Sequence, residues 1–222
     1  MCGRFSFTQP EKVVAEVFDL SSIPTLSPRY NIAPTQPVPT ILPDSENGKR
    51  QLKMLRWGLI PSWAKDMKMG ARLINARAET IAEKPAFRSA FKRRRCLVLA
   101  DGFYEWQQQD GKKQPFYFQL QDGKPFAFAG LWERWEKGEG EPIESCTIVT
   151  TEANELMRPI HARMPVILEP QNYDRWLDPE LQKTEMLQSL LQPYQSEEMT
   201  FYPVSTKVNN AKVDSADCIN SS

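Results

Sequence analysis

Short runs in which apolar and polar residues alternate, separated by proline, glycine and polar turns, dominate this chain. Residues 2–7 alternate as a strand does. Gln9-Pro10 then opens a helix with Val13, Val14, Val17 and Phe18 on one side, since a proline in the first turn gives up only an N–H that would go unpaired there. Prolines confine residues 22–43 to extended loop and edge-strand conformations, because each removes a ladder donor. Residues 44–49 read as a turn and 51–57 as a strand. An irregular surface loop over 58–71 follows, with Trp63, Met67 and Met69. A short helix is expected over 85–92, then strands over 96–100 and, past an Asp101-Gly102 turn, over 103–106. Further strands fall at 115–120, 125–131, 145–150, 165–168 and 200–206, with a short helix at 153–157 and one or two amphipathic helices within 171–191. Strands outnumber helices and show no strand–helix–strand rhythm. The expected fold is therefore α+β: a single domain over 1–222 around a curved, mainly antiparallel β-sheet with flanking helices, ending in a polar tail from about 207.

Composition changes that picture little. The chain has 222 residues, 41% of them hydrophobic, which suffices for one well-buried core. A formal net charge of zero leaves any basic surface to a local patch. No apolar run reaches membrane-span length, and the first residues lack the basic start and long apolar stretch of a signal peptide, so a cytoplasmic protein without a membrane partner is expected. Cys2, Cys96, Cys146 and Cys218 stand far apart with no CxxC pair. That spacing fits neither a zinc site nor a disulfide framework, so free thiols and no metal are expected.

Candidate chemistry begins at Cys2. Removal of Met1, which the small Cys2 side chain permits, exposes an amine and a thiol on adjacent carbons. The amine of such a 1,2-aminothiol condenses with an aldehyde to a Schiff base, and the thiol closes on the same carbon to give a thiazolidine. An α-amine titrates near pH ~8, so a neutral, nucleophilic fraction exists at physiological pH, where an untuned lysine is almost wholly protonated. Most proteins that begin Met-Cys use the cysteine as an ordinary small apolar residue in a first strand. Glu105 alternates with Tyr104 and Trp106 and so shares a face with Phe103; desolvation there would raise its pKa, which suits a general acid or base and equally a buried carboxylate satisfied by an arginine. His161, the only histidine, fits a proton carrier or a structural ring beside a proline-flanked turn. Asn75 can orient a hydroxyl or an amine, or start a turn. Arg4, Arg77 and Arg163 carry planar forks suited to phosphates, and Lys92-Arg93-Arg94-Arg95 is a basic run of the kind that also ends solvated helices. Trp63 with Met67 and Met69 offers a wedge or stacking platform for bases, or packs back on the body.

The segments Cys2-Gly3-Arg4, Asn31-Ile32-Ala33-Pro34, Trp57-Gly58-Leu59-Ile60-Pro61, Asn75-Ala76-Arg77-Ala78-Glu79-Thr80, Asp101-Gly102-Phe103-Tyr104-Glu105-Trp106, Ile160-His161-Ala162-Arg163-Met164-Pro165 and Val204-Ser205 together resemble the SOS-response-associated peptidase (SRAP) family over nearly the whole chain. The resemblance implies a DNA-damage-response protein that shields abasic sites in single-stranded DNA by a covalent crosslink through Cys2, using lyase-like Schiff-base chemistry and no cofactor. By similarity, Glu105 moves protons during sugar ring opening and Schiff-base formation, Asn75 positions the reacting groups, and His161 hydrogen-bonds or protonates the sugar oxygen. Arg4, Arg77 and Arg163 would bind the DNA backbone or organise the site, and Trp63 would wedge at the lesion. The word peptidase implies self-removal of Met1 with Cys2 as nucleophile and Glu105 or His161 assisting, although an aminopeptidase would expose the same amine. A monomer is expected, cytoplasmic and nucleoid-associated when acting on DNA. A cysteine peptidase acting on other proteins and a non-covalent reader of modified bases stand as alternatives.

Overall fold

The computed structural model describes residues 2–43, 50–109, 111–138 and 140–222. The turn expected at 44–49 lies outside the described residues. Strand β1 (Phe5–Phe7) leads into α1 (Glu11–Phe18), where Pro10 is the N-cap and Val14 and Phe18 are buried. The chain continues through β2 (Arg29–Ile32), β3 (Pro37–Pro43), β4 (Arg50–Trp57), a 3-10 turn (Met67–Arg72), β5 (Asn75–Arg77) and α2 (Arg88–Arg93). Then come β6 (Arg95–Ala100), β7 (Gly102–Gln109), β8 (Lys112–Leu120), β9 (Phe126–Trp135) and β10 (Ile143–Glu152). After β11 (Arg163–Pro165) and β12 (Ile167–Leu168), two short helices, α3 (Tyr173–Leu177) and α4 (Thr184–Gln188), precede β13 (Met199–Pro203).

The expected α+β class holds, but the strands make two sheets rather than one. An antiparallel sheet runs β13-β8-β7-β1-β2. The second closes on itself: β4, β3, β6 and β9 pair in turn, and β10 pairs antiparallel with β9 and parallel with β4. Closure leaves no open edge in that ring of five strands. Strand β10 is long enough to serve further partners: Ile148, Val149 and Thr150 run parallel beside β5, and Thr150–Glu152 pairs with β11. The two sheets pack through Phe5, whose ring meets Trp57 edge-on at 5.1 Å and Phe128 at 5.7 Å, and through Phe103 against Phe128 at 5.9 Å.

Several local expectations change. Strand β3 is not an edge: it lies between β4 and β6, and tolerates its prolines because pairing with β6 is confined to Thr40 and Ile41. No helix forms over 153–157: the chain turns from residue 155 onward, and Asn154 Oδ1 accepts from Met157 N at 3.0 Å and competes with helical pairing. Gly102 opens β7 instead of sitting in a turn, and the Tyr117 ring passes within 2.1 Å of where a Cβ would stand. The stretch read as a polar tail is docked: 3-10 turns at Thr206–Asn209 and Ala216–Cys218 bury Val208 and Cys218 against Tyr104 and Tyr117, on the outer face of the antiparallel sheet. Asp214 fastens it, accepting from Arg29 Nε at 2.5 Å and from the backbone N–H groups of Tyr30 and Asn31.

Candidate active site

Cys2 sits where the two sheets meet. The extended chain ahead of β1 keeps running alongside β7, with Tyr104 N donating to Arg4 O at 3.0 Å, so residue 2 comes beside the middle of β7. From the barrel side, Asn75 Nδ2 donates to the Cys2 carbonyl at 2.8 Å. Asn75 is fixed in turn, because Trp57 Nε1 and Ile148 N both donate to the neighbouring Ile74 carbonyl. Asn75 Oδ1 is buried and receives no hydrogen bond among the described residues, which leaves an acceptor beside Cys2 for an incoming N–H. The Cys2 side chain is fully buried. Burial, and then the nearby Glu105 carboxylate, push its thiol pKa far up.

Glu105 faces inward from β7, cross-strand from Phe116, while Tyr104 and Trp106 belong to the outer cluster. The side chain is 3% exposed. Burial raises the carboxyl pKa and the charge of His161 pulls it back. His161 is held by its own chain: Arg163 N and Arg163 O each lie 3.0 Å from Nδ1, so the ring keeps a partner whether Nδ1 accepts or donates. Glu105 and His161 line an open pocket of about 390 Å³ with Trp106, Lys113 and Asn209.

The structure thus brings Cys2, Asn75, Glu105 and His161 together. The arginines divide. Arg4 is half-buried, with Nη1 donating to Asn31 Oδ1 at 2.8 Å and Val208 O at 2.7 Å and Nη2 to Asn209 O at 3.3 Å. Arg163 grips both Glu79 oxygens, at 2.5 and 3.0 Å, and the Thr150 carbonyl at 2.7 Å, tying β11 to β10; the pairing holds the Glu79 carboxyl below its usual range. Arg77, at the end of β5, is exposed. In the basic run, Arg95 is buried and caps the carbonyls of Phe91, Lys92 and Trp176, and Arg94 pairs with Glu133 at 2.8 Å, so only Lys92 and Arg93 face solvent fully.

Trp63 is 49% exposed on a loop closed by a glycine contact, for a Cβ on Gly58, whose φ is +126°, would meet Gly70 O at 2.6 Å. It borders an open pocket with Lys65, Asp66, Lys68, Met69 and Arg72, which shares no residue with the Glu105 pocket. Two residues near the site had no assigned role in the sequence. Asn31 is buried and donates to the carbonyls of Val208, Asn210 and Val213, holding the C-terminal segment. Asn209 Oδ1 accepts from Trp106 Nε1 at 2.7 Å. The place of the first in the Asn31-Ile32-Ala33-Pro34 segment was a usable signal; nothing local marks the second.

Among the described residues no cluster of His, Cys, Asp and Glu is arranged to hold a metal ion, and no helix is long and apolar enough to cross a membrane. The chain is similar to the Bacillus subtilis (strain 168) "Abasic site processing protein YoqW", 48% identical over 225 residues with both chains fully covered. It is 36% identical over 221 residues to the Xenopus tropicalis "Abasic site processing protein HMCES", covering 86% of this chain and 65% of that one. A crystal structure of a Bacteroides thetaiotaomicron protein superposes with a TM-score of 0.83 at 31% identity, over 93% of each chain. A family model described as SOS response associated peptidase (SRAP) matches residues 1–211, from Cys2 through His161 to the docked turn at Asn209, and the chain belongs to that family.

Proposed function

We propose that this protein captures abasic sites in single-stranded DNA as a covalent adduct, the α-amine and thiol of Cys2, freed by loss of Met1, closing on the ring-opened sugar aldehyde as a thiazolidine. The observation that carries this reading is the position of Cys2, its carbonyl held by Asn75 from the barrel and its buried thiol in the field of Glu105 from the other sheet. The names of the Bacillus and Xenopus relatives support the substrate.

Burial argues for an amine-first order. A thiol whose pKa is pushed up is a poor first nucleophile, whereas an α-amine keeps a neutral fraction. Glu105 takes the proton of the C1′ hydroxyl and returns one to the ring oxygen, opening the hemiacetal, with His161 hydrogen-bonding the released oxygen. The amine adds to the aldehyde carbon, water leaves to give the iminium, and the thiol adds to the same carbon and gives up its proton. Aldehyde and aminothiol become thiazolidine and one water. Asn75 Oδ1 accepts one amine N–H and directs the lone pair at the carbon. Arg77 meets a phosphate, while Arg4 and Arg163 organise the walls and Trp63 borders the DNA path. The same high thiol pKa counts against cleavage of other proteins, which needs a thiolate. Self-removal of Met1, hydrolysis of one peptide bond by Cys2 with Glu105 assisting, relies on proximity instead of thiol acidity. The protein acts as a cytoplasmic monomer that joins the nucleoid at lesions.

The test is a denaturing gel of untagged protein with a single strand carrying one uracil, with and without uracil-DNA glycosylase. A heat-stable, slower band with the treated strand alone is expected. Its absence from protein whose intact mass shows Met1 removed would overturn the covalent reading.

A further inference from the structure

The pocket beside Glu105 and His161 extends past the reacting groups, over Trp106, to Lys113 and Asn209. Lys113 stands opposite Gln108 on the β7–β8 pair, which puts it on the outer face with Trp106 and not on the inner face with Glu105. It is exposed, and its ammonium has no hydrogen bond or ion pair among the described residues. The Trp106 indole, by contrast, is immobilised by its bond to Asn209 Oδ1 and by the Tyr104 ring 6.4 Å away. Asn209 is itself pinned, its carbonyl accepting from Arg4. A fixed aromatic ring, an amide and an uncommitted cation therefore line one open arm of the pocket. Arg77 provides an exposed cation on the other sheet, two residues beyond the asparagine that holds Cys2.

We infer that Trp106, Lys113 and Asn209 form a subsite for the nucleotide next to the abasic sugar, Lys113 meeting its phosphate and Trp106 its base. The inference rests on the covalent-capture reading for the identity of the strand, and it adds a second contact point away from the reacting carbon. Stacking on an indole accepts any base, and a single lysine–phosphate contact releases counterions without reading sequence, so the subsite favours any strand that continues past the lesion.

The test uses fluorescence anisotropy with strands carrying a tetrahydrofuran abasic analogue, which has no aldehyde and cannot crosslink. One strand extends on both sides of the analogue, one on its 5′ side alone and one on its 3′ side alone. Lys113→Ala is expected to bind the full strand roughly 3–10-fold more weakly at low salt and to lower the slope of log K against log salt by about 0.7. It should match the unaltered protein on one shortened strand, the one lacking the nucleotide that the subsite holds. Asn209→Ala, which releases the Trp106 indole, should weaken the same strands without changing the slope. Unchanged affinity and slope in Lys113→Ala, or an equal loss on both shortened strands, would overturn the inference. Failure of the unaltered protein to crosslink aldehyde-bearing DNA would overturn the covalent reading alone, since the analogue reports binding only.

Discussion

Two buried carboxylates lie four residues apart along β7 and the bend before it, and they are treated in opposite ways. Asp101, 5% exposed, is surrounded by donors: Ser6 Oγ at 2.5 Å, Thr8 N at 2.5 Å and Thr8 Oγ1 at 2.7 Å, with the Tyr117 hydroxyl joined through Ser6 at 2.8 Å. Every one of those donors belongs to β1, its continuation or the facing strand, so the carboxylate fastens the strand that carries Cys2. Glu105, 3% exposed, is opposed as a charge by its burial and drawn back by the charge of His161 and by a hydrogen bond from the Trp106 backbone N–H. A carboxylate supplied with several hydrogen bonds is a fixture; one whose charged form is disfavoured is ready to exchange protons. On the proposed mechanism, the difference separates holding from reacting within one strand pair.

The largest effect expected is at Cys2. Cys2→Ala should give no heat-stable adduct at all, and Cys2→Ser at most a Schiff base that borohydride traps, because a hydroxyl closes the ring poorly; a stable band from Cys2→Ala on a denaturing gel would remove the reacting half of the comparison. Next comes Glu105→Gln, which should slow crosslinking by about 10²–10⁴-fold in single-turnover assays. Its stability should move the other way. A carboxyl whose pKa is raised on folding binds its proton more tightly in the native state, so it destabilises increasingly as pH rises from the unfolded value through the folded one. Glutamine removes that penalty, and the variant should melt at or above the unaltered protein at pH 7.5 and lose the advantage near pH 4. Asp101→Asn should show the reverse: a loss of about 3 kcal/mol, read as a melting point lower by roughly 6–12 °C, with crosslinking by the folded fraction within a few-fold of normal. The smallest effect is a displacement of a pH profile. The positive charge of His161 lowers the Glu105 pKa, so His161→Ala should carry the limb of the rate profile that reports Glu105 to higher pH. A limb that stayed in place would uncouple the two groups.

The candidate site residues stood out in the sequence because each lies in a short segment whose residue types are unusual for packing alone, a carboxylate between two aromatic residues in a strand, a lone histidine at a proline-flanked turn and an asparagine able to start a turn, and their roles came from the family resemblance. The closed barrel was less so. Its closure depends on parallel pairing of Ser145 and Cys146 with Arg56 and Trp57, strands about ninety residues apart whose apolar patterns name no partner. The docked C-terminal segment was hidden for a related reason. Val204, Val208, Val213, Cys218 and Ile219 follow neither a helical nor a strand period, and the acceptors they bring to Arg4, Asn31 and Trp106 are main-chain carbonyls or one asparagine. Contacts of that kind leave no composition signature. The basic run from Lys92 to Arg95 shows the opposite limit, for its charge suggested a surface while Arg95 serves buried carbonyls at two helix ends.

His161 is the only imidazole in the chain, and both the carboxylate it influences and the backbone that holds it belong to the site. Nitrogen-15 labelling of histidine alone would therefore give a magnetic-resonance spectrum with one side chain in it. Its two ring signals would distinguish the tautomers without any assignment problem, and would follow the pocket through DNA addition in real time.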